Sequence, residues 1–224
     1  MIQVDWATAK AASYACRYWH YSHCVPAGRS VKIGVWEDGT FIGVVIFSRG
    51  ANHHIGVDFG LTQTEACELS RVALKAHKAP VSQIISVAVR FFRTASPGTR
   101  LIVSYADTGQ HHHGGIYQAL GWVYDGLSDT TRYLAAKGEV LHGKTVATRW
   151  HTHRIKWLKA NVDPNAAWVK APAKHRYLKA LDAEIAAKLT PRAKPYPKPM
   201  REKQAMAGHP SAQRRCSADP HAPS

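Results

Sequence analysis

Leu101-Ile102-Val103-Ser104-Tyr105-Ala106-Asp107, a loop through His111-His112-His113-Gly114-Gly115, and then Ile116-Tyr117-Gln118-Ala119-Leu120-Gly121-Trp122 form the stretch on which the fold turns. The apolar run from Leu101 reads as a buried strand that ends in polar residues. The glycines mark a loop, and Ile116 to Leu120 reads as a short helix stopped by Gly121. Open α/β sheets place their ligands at the carboxyl ends of strands, which puts Asp107 at a ligand-facing position.

Upstream, Cys67 to Leu74 alternates in the strand manner. Pro80 and Ser82 open a helix in which Ile84, Ala88, Phe91, Phe92 and Ala95 fall on one face. Strand, helix, strand and helix make a βαβα unit whose crossover favours parallel pairing of its two strands. Val31 to Trp36 and Phe41 to Phe47 are strand-like runs joined by Glu37-Asp38-Gly39-Thr40, and Asp-Gly signals a hairpin. Asp5 is read as the cap of a first helix through about Tyr18. Downstream, strands are predicted near Thr130 to Leu134 and Lys174 to Leu178, with a basic helix near Ile155 to Lys159. The fold class is mixed α/β. One domain is expected over residues 1–185, including a basic, aromatic-containing extension from about residue 125. A flexible basic tail is expected over 186–224, because seven of the twelve prolines lie beyond Arg192 or at Pro191.

The chain has 224 residues, of which 45% are hydrophobic, enough for one sizeable core. No apolar run approaches the ~20 residues of a membrane span, and the first fifteen residues lack a signal-peptide pattern, so a soluble cytoplasmic protein is expected. Cys16, Cys24, Cys67 and Cys216 contain no CxxC pair and read as reduced thiols. The net charge is +15, with 18 basic and 6 acidic residues in 137–224 against 12 and 9 in 1–136. A one-sided excess of that size attracts a polyanion, so DNA, double-stranded or locally opened, is the expected partner. Trp150, Trp157, Trp168 and Tyr177 alternate there with basic residues. Arg149, Arg154, Lys156, Trp157, Lys174 and Arg176 are the candidate DNA contacts.

The strand, the loop and Ile116-Tyr117-x-x-x-Gly121-Trp122 resemble the fifth strand and fourth helix of the GNAT acetyltransferase fold. That resemblance implies two splayed parallel strands that receive an acyl donor, acetyl-CoA or a relative, and a helical Tyr117 that protonates the departing group. The fold's diphosphate-binding turn normally carries glycines, whereas Leu74-Lys75-Ala76-His77-Lys78-Ala79-Pro80 has none. Arg71, Lys75, Lys78 and Ser82 are the remaining candidates for holding a donor's phosphates.

A closer resemblance rests on an ordered set: His20-Tyr21-Ser22, Leu69-Ser70-Arg71, Ser104-Tyr105-Ala106-Asp107 and the His/Gly loop before Ile116-Tyr117. Together these are similar to the phage Mom family, over about residues 14–125. The family resemblance implies conversion of DNA adenine to N6-(methylcarbamoyl)adenine, which hides phage DNA from host restriction enzymes. It assigns functional positions to His20, Tyr21, Arg71, Ser104, Asp107 and Tyr117.

Adenine N6 is a poor nucleophile, so His20 or Asp107 is a candidate proton acceptor. The added group implies a step beyond plain acetyl transfer, and iron is a candidate cofactor with His20, Asp107 and Tyr117 as possible ligands among the surrounding histidines, including His53. A Cys16, His20 and Cys24 zinc site is a weaker alternative. An ordinary N-acetyltransferase of a protein or small amine and a non-enzymatic DNA-binding protein are the two competing readings.

Overall fold

The computed structural model describes residues 1–26, 28–50, 54–130 and 132–199. The chain opens on a strand, β1 (Ile2–Trp6), and not on a helix capped by Asp5. Ile2 to Trp6 pair antiparallel with β2 (Ser30–Glu37), and this edge pairing outweighs the local capping signal of Asp5. Thr8 is the actual cap: its side chain accepts from Ala11 N–H at 3.1 Å and starts α1 (Ala9–Trp19). Ala12, Ala15 and Cys16 bury one face of α1 against the sheet.

The Asp-Gly signal holds. Asp38 and Gly39 both have positive φ, the turn geometry that matches strand twist, and they join β2 to β3 (Thr40–Ser48). β4 (Ala66–Leu74), α2 (Val81–Ala95), β5 (Leu101–Asp107) and α3 (Gly115–Gln118) follow as expected. β6 (Val123–Leu127) and β10 (Lys174–Ala180) complete a seven-stranded sheet ordered β1-β2-β3-β4-β5-β10-β6. Among the described residues the only parallel pair in that sheet is β4–β5.

Between β6 and β10 the chain builds β7 (Arg132–Ala136), β8 (Glu139–His142), α4 (Gly143–Trp150), α5 (Ile155–Asn161) and β9 (Ala167–Lys170). The three strands form a separate sheet, β8-β7-β9. Leu134, Ala136, Val146, Leu158 and Ala166 give it a core of its own. The expected basic extension is therefore an insertion in the sheet's last hairpin. Its two ends are held side by side, since Ser128 N–H donates to Lys174 O at 2.8 Å.

The chain also stays packed past residue 186. α6 (Ala183–Leu189) buries Ile185 and Leu189, Asp182 caps it, and Tyr196 donates its hydroxyl to Trp122 O at 2.9 Å. The expected tail boundary moves accordingly, because prolines in 191–199 lie along the domain instead of leaving it. Residues 200–224 lie outside the described residues. Among the described residues no helix is long and apolar enough to cross a membrane. Cys16 and Cys67 are free and buried, whereas Cys24 is disulfide-bonded and not the reduced thiol expected.

Candidate active site at the split between two strands

β4 and β5 pair at three positions only, Ala66 with Leu101, Cys67 with Ile102 and Glu68 with Val103. Beyond them the strands part. On its other side β4 carries a bulge: Ile46 faces Arg71 while Phe47 faces Leu69, which leaves Ser70 as the extra residue. Ser104 lies in the gap, fully buried, with its Oγ 3.0 Å from Leu69 O and 2.7 Å from the Tyr117 hydroxyl. A carbonyl only accepts and Ser104 has one proton, so the proton order runs from Tyr117 to Ser104 to Leu69 O. Burial pushes Tyr117 up to about 12. Tyr117 is thus a protonated phenol at neutral pH.

Asp107 ends β5 and is buried. Its Oδ1 accepts from Gly109 N–H at 3.0 Å, and its Oδ2 lies 3.3 Å from Lys174 Nζ. The sheet register places Lys174 directly across from Asp107 on β10. Lys174, an expected DNA contact, is thereby a part of this centre.

His20 closes α1 and reaches the same region. Ser22 N–H, a fixed donor, points at His20 Nδ1 from 3.1 Å, so the ring carries its proton on Nε2. Burial, followed by the charges of Arg71, His112, His23 and Lys174, lowers His20 to about 3 and keeps the imidazole neutral. Tyr21 stacks on His20 with ring centroids 4.4 Å apart and meets His112 edge-on at 5.8 Å. Arg71 donates to Cys24 O at 3.1 Å and to Ser70 O at 2.7 Å, tying the loop after α1 to the bulge.

The structure therefore gathers His20, Tyr21, Arg71, Ser104, Asp107 and Tyr117 around the split. It adds His112 and Lys174, for which the sequence held only weak signals: a triple-histidine loop and a strand register that cannot be read from spacing.

Other expected sites come out differently. Arg176 is held by Asp125 at 3.4 Å and Asp58 at 3.8 Å, with 19% of its side chain exposed, so its charge is spent inside the fold. Arg149 pairs with Glu139 at 3.6 Å and lies over the Trp150 ring. Arg154, Lys156 and Trp157 are exposed on the insertion.

Among the described residues, no group of three or more His, Cys, Asp or Glu side chains is arranged to hold a metal ion. The ligand grouping expected for iron or zinc is not assembled among them. The reason is visible in two cases: His113 turns beneath Gly115, and His23 Nδ1 is bonded to Arg17 O at 2.8 Å. His53 lies outside the described residues.

The sequence profile of the Mom protein family matches residues 1–198. The chain belongs to the Mom protein family. No curated protein matches it. In fold, this Mom family member is similar to a GNAT family acetyltransferase from Bacillus cereus, at 12% identity and TM-score 0.41, over 82% of this chain and 99% of that one. It is also similar to the ribosomal-protein-S5-alanine acetyltransferase of Vibrio fischeri, at 12% identity and TM-score 0.44, over 81% and 93% of the two chains. A GNAT family acetyltransferase from Elizabethkingia anophelis with acetyl-CoA bound is 12% identical, with TM-score 0.38 over 80% and 98%.

The mixed sheet with its parallel, splayed β4–β5 pair is the GNAT-like arrangement expected of a Mom protein. The turn ahead of α2 departs from it. Lys78 and Ala79 give their backbone N–H groups to the Glu37 carboxylate at 2.9 and 2.7 Å. Lys75 N–H is bonded to Ile42 O, its ammonium lies 5.9 Å over Trp19, and Pro80 has no N–H to offer. The backbone N–H groups of Lys75, Lys78 and Ala79 are thus taken within the fold, while the N-terminus of α2 has no side-chain cap.

Proposed function

We propose that this Mom family protein is a transferase that modifies adenine in DNA at N6, forming N6-(methylcarbamoyl)adenine and shielding the DNA from restriction enzymes. One observation carries the reading: Asp107, Lys174, His20, Tyr21 and the buried Ser104–Tyr117 pair converge where β4 and β5 part.

The donor and acceptor pattern suits an adenine edge. Asp107 is an acceptor for the N6 amino group, and the His20 Nε2 proton is a donor for a ring nitrogen. Because His20 Nδ1 already accepts from Ser22, Asp107 is the better proton acceptor of the two. Lys174 Nζ, 3.3 Å from Asp107 Oδ2, orients the carboxylate for that task. Tyr117 is the proton donor, and Ser104 keeps its hydroxyl oriented.

A base must leave the duplex to reach a buried carboxylate. Tyr21, 42% exposed and stacked on His20, offers a ring face for the extruded base. Arg154, Lys156 and the exposed Trp157 lie on the insertion whose ends meet at Lys174, so phosphate contacts there would hold DNA next to the site. A purely DNA-binding protein has no use for the buried Ser104–Tyr117 pair. Nucleoside mass spectrometry on DNA from cells producing the protein tests the proposal: modified adenine supports it, and unmodified DNA with folded protein counts against it.

A further inference from the structure

α1 carries two large aromatic side chains on the face turned away from the sheet. Ala12, Ala15 and Cys16 are buried, and the helical period leaves Ala9, Lys10, Ser13, Tyr14, Arg17 and Tyr18 outside. Tyr14 is 53% exposed and Tyr18 59% exposed. They lie about one turn apart, with ring centroids 4.6 Å from each other and planes tilted by 46°. That tilt is not a face-to-face stack, and with more than half of each side chain exposed both rings keep a face open to solvent. Both rings are also braced: Trp19 meets Tyr14 edge-on at 5.4 Å, and the Arg17 guanidinium lies 5.7 Å from the centre of the Tyr18 ring.

The chemistry of this face selects among partners. It holds no aliphatic side chain larger than alanine, so it lacks the material of an apolar protein–protein interface centre. α1 contains no Asp or Glu, while Lys10 and Arg17 supply two positive charges, and Arg17 in the last turn offsets the negative end of the helix dipole. Aromatic faces beside cations take nucleobases by stacking and phosphates by charge, whatever the base sequence. The two tyrosines also lead to the site: α1 ends at Trp19, His20 follows it, and Tyr21 stacks on His20. A strand from which one base enters the β4–β5 split has neighbouring bases that lose their stacking partner, and a ring surface next to the split replaces it.

We infer that Tyr14 and Tyr18 form a stacking surface for the nucleotides that flank the extruded base, with Lys10 and Arg17 beside them for the phosphates, so that the protein holds an opened, single-stranded stretch of DNA along α1. This rests on the adenine-modification reading. It deepens that reading by naming the state of the DNA strand next to the site.

The test is fluorescence anisotropy of the full-length protein with labelled oligothymidylate and with a blunt duplex of the same length, alongside Tyr14→Ala, Tyr18→Ala and Tyr18→Phe. Oligothymidylate contains no adenine, so binding is read without the reaction. Each alanine variant is expected to weaken single-strand binding about five- to 150-fold, the worth of one base–aromatic stack, and to change duplex binding less than about twofold. Tyr18→Phe keeps the ring and is expected to bind like the wild type. Alanine suits an exposed helix position, and thermal unfolding of each variant confirms that the fold persists.

Folded alanine variants that bind oligothymidylate as tightly as the wild type overturn the inference. So does a Tyr18→Phe protein that loses as much binding as Tyr18→Ala, because the ring face is then not the contact. A wild-type dimer in analytical ultracentrifugation that becomes a monomer in the alanine variants also overturns it, since the face is then a contact between two copies. Modified adenine is read separately by nucleoside mass spectrometry: its absence, with single-strand binding lost in the alanine variants, contradicts the proposed reaction alone, whereas its presence with single-strand binding unaffected contradicts the stacking surface alone.

Discussion

Lys174 and Asp107 face each other across the β10–β5 ladder, and their charged atoms lie 3.3 Å apart. This pair ties the last residue of β5 to the first residue after the insertion. On the proposed reading it couples the reacting centre to the segment that would touch DNA. Asp107→Asn keeps the shape and removes the acceptor charge, and adenine modification is expected to drop about 10²- to 10⁴-fold. Lys174→Met leaves a buried carboxylate without its partner and is expected to cost about 1–3 kcal/mol in denaturant unfolding, with Asp107→Asn/Lys174→Met recovering part of it. A loss in the double variant equal to the sum of the two single losses would show that the two residues act independently.

Tyr117→Phe removes one hydroxyl and keeps the ring packed against Trp122 and Tyr177. Modification is expected to fall about 10²- to 10⁴-fold in single-turnover assays at unchanged DNA affinity. Loss of the bond to Ser104 should cost about 1 kcal/mol of stability. Near-normal turnover by a folded variant would reduce Tyr117 to a packing residue.

His20 gives a pH signature. Its folded value, about 3, lies below the ordinary 6.5, so the unfolded chain binds the proton more readily. Its contribution to stability is present above about pH 6.5 and is lost as the pH falls towards 3. His20→Asn, whose amide oxygen can still accept from Ser22 N–H, is expected to flatten the acid limb of the stability profile. An unchanged acid limb would contradict the neutral, buried imidazole.

The insertion and the sheet separate DNA contacts from internal cations. Arg154→Ala and Lys156→Ala are each expected to weaken DNA binding and to reduce the salt slope by about 0.9 per lost phosphate contact, with stability unchanged. Trp157→Ala should cost about 1–3 kcal/mol of binding to opened DNA. Arg176→Ala should do the reverse, lowering stability through Asp125 while leaving the salt slope alone. A salt slope that responds to Arg176 and not to Arg154 would reverse this assignment.

The local signals in the sequence were sufficient for the hairpin at Asp38-Gly39, the amphipathic α2 and the β5–α3 unit, because each depends on periodicity or turn chemistry within a few residues. The six residues carried by the family resemblance do meet at the split. What stayed hidden was non-local. β1 is a strand because β2 lies beside it, a partner that Asp5 does not reveal. The insertion has its own core, yet its apolar residues are spread over short elements with no long repeat. Arg176 looked like a surface cation until Asp125 and Asp58 were found beside it, and the Glu37 bonds span 41 and 42 residues.

The central claim is that the Asp107-centred site modifies adenine N6 in DNA. It is tested most directly by nucleoside mass spectrometry on total DNA from cells producing either the wild-type protein or Asp107→Asn at equal levels. The expected result is N6-(methylcarbamoyl)adenine in the first DNA and its loss or near-loss in the second. Unmodified adenine in both, or equal modification in both with folded proteins, would contradict the claim.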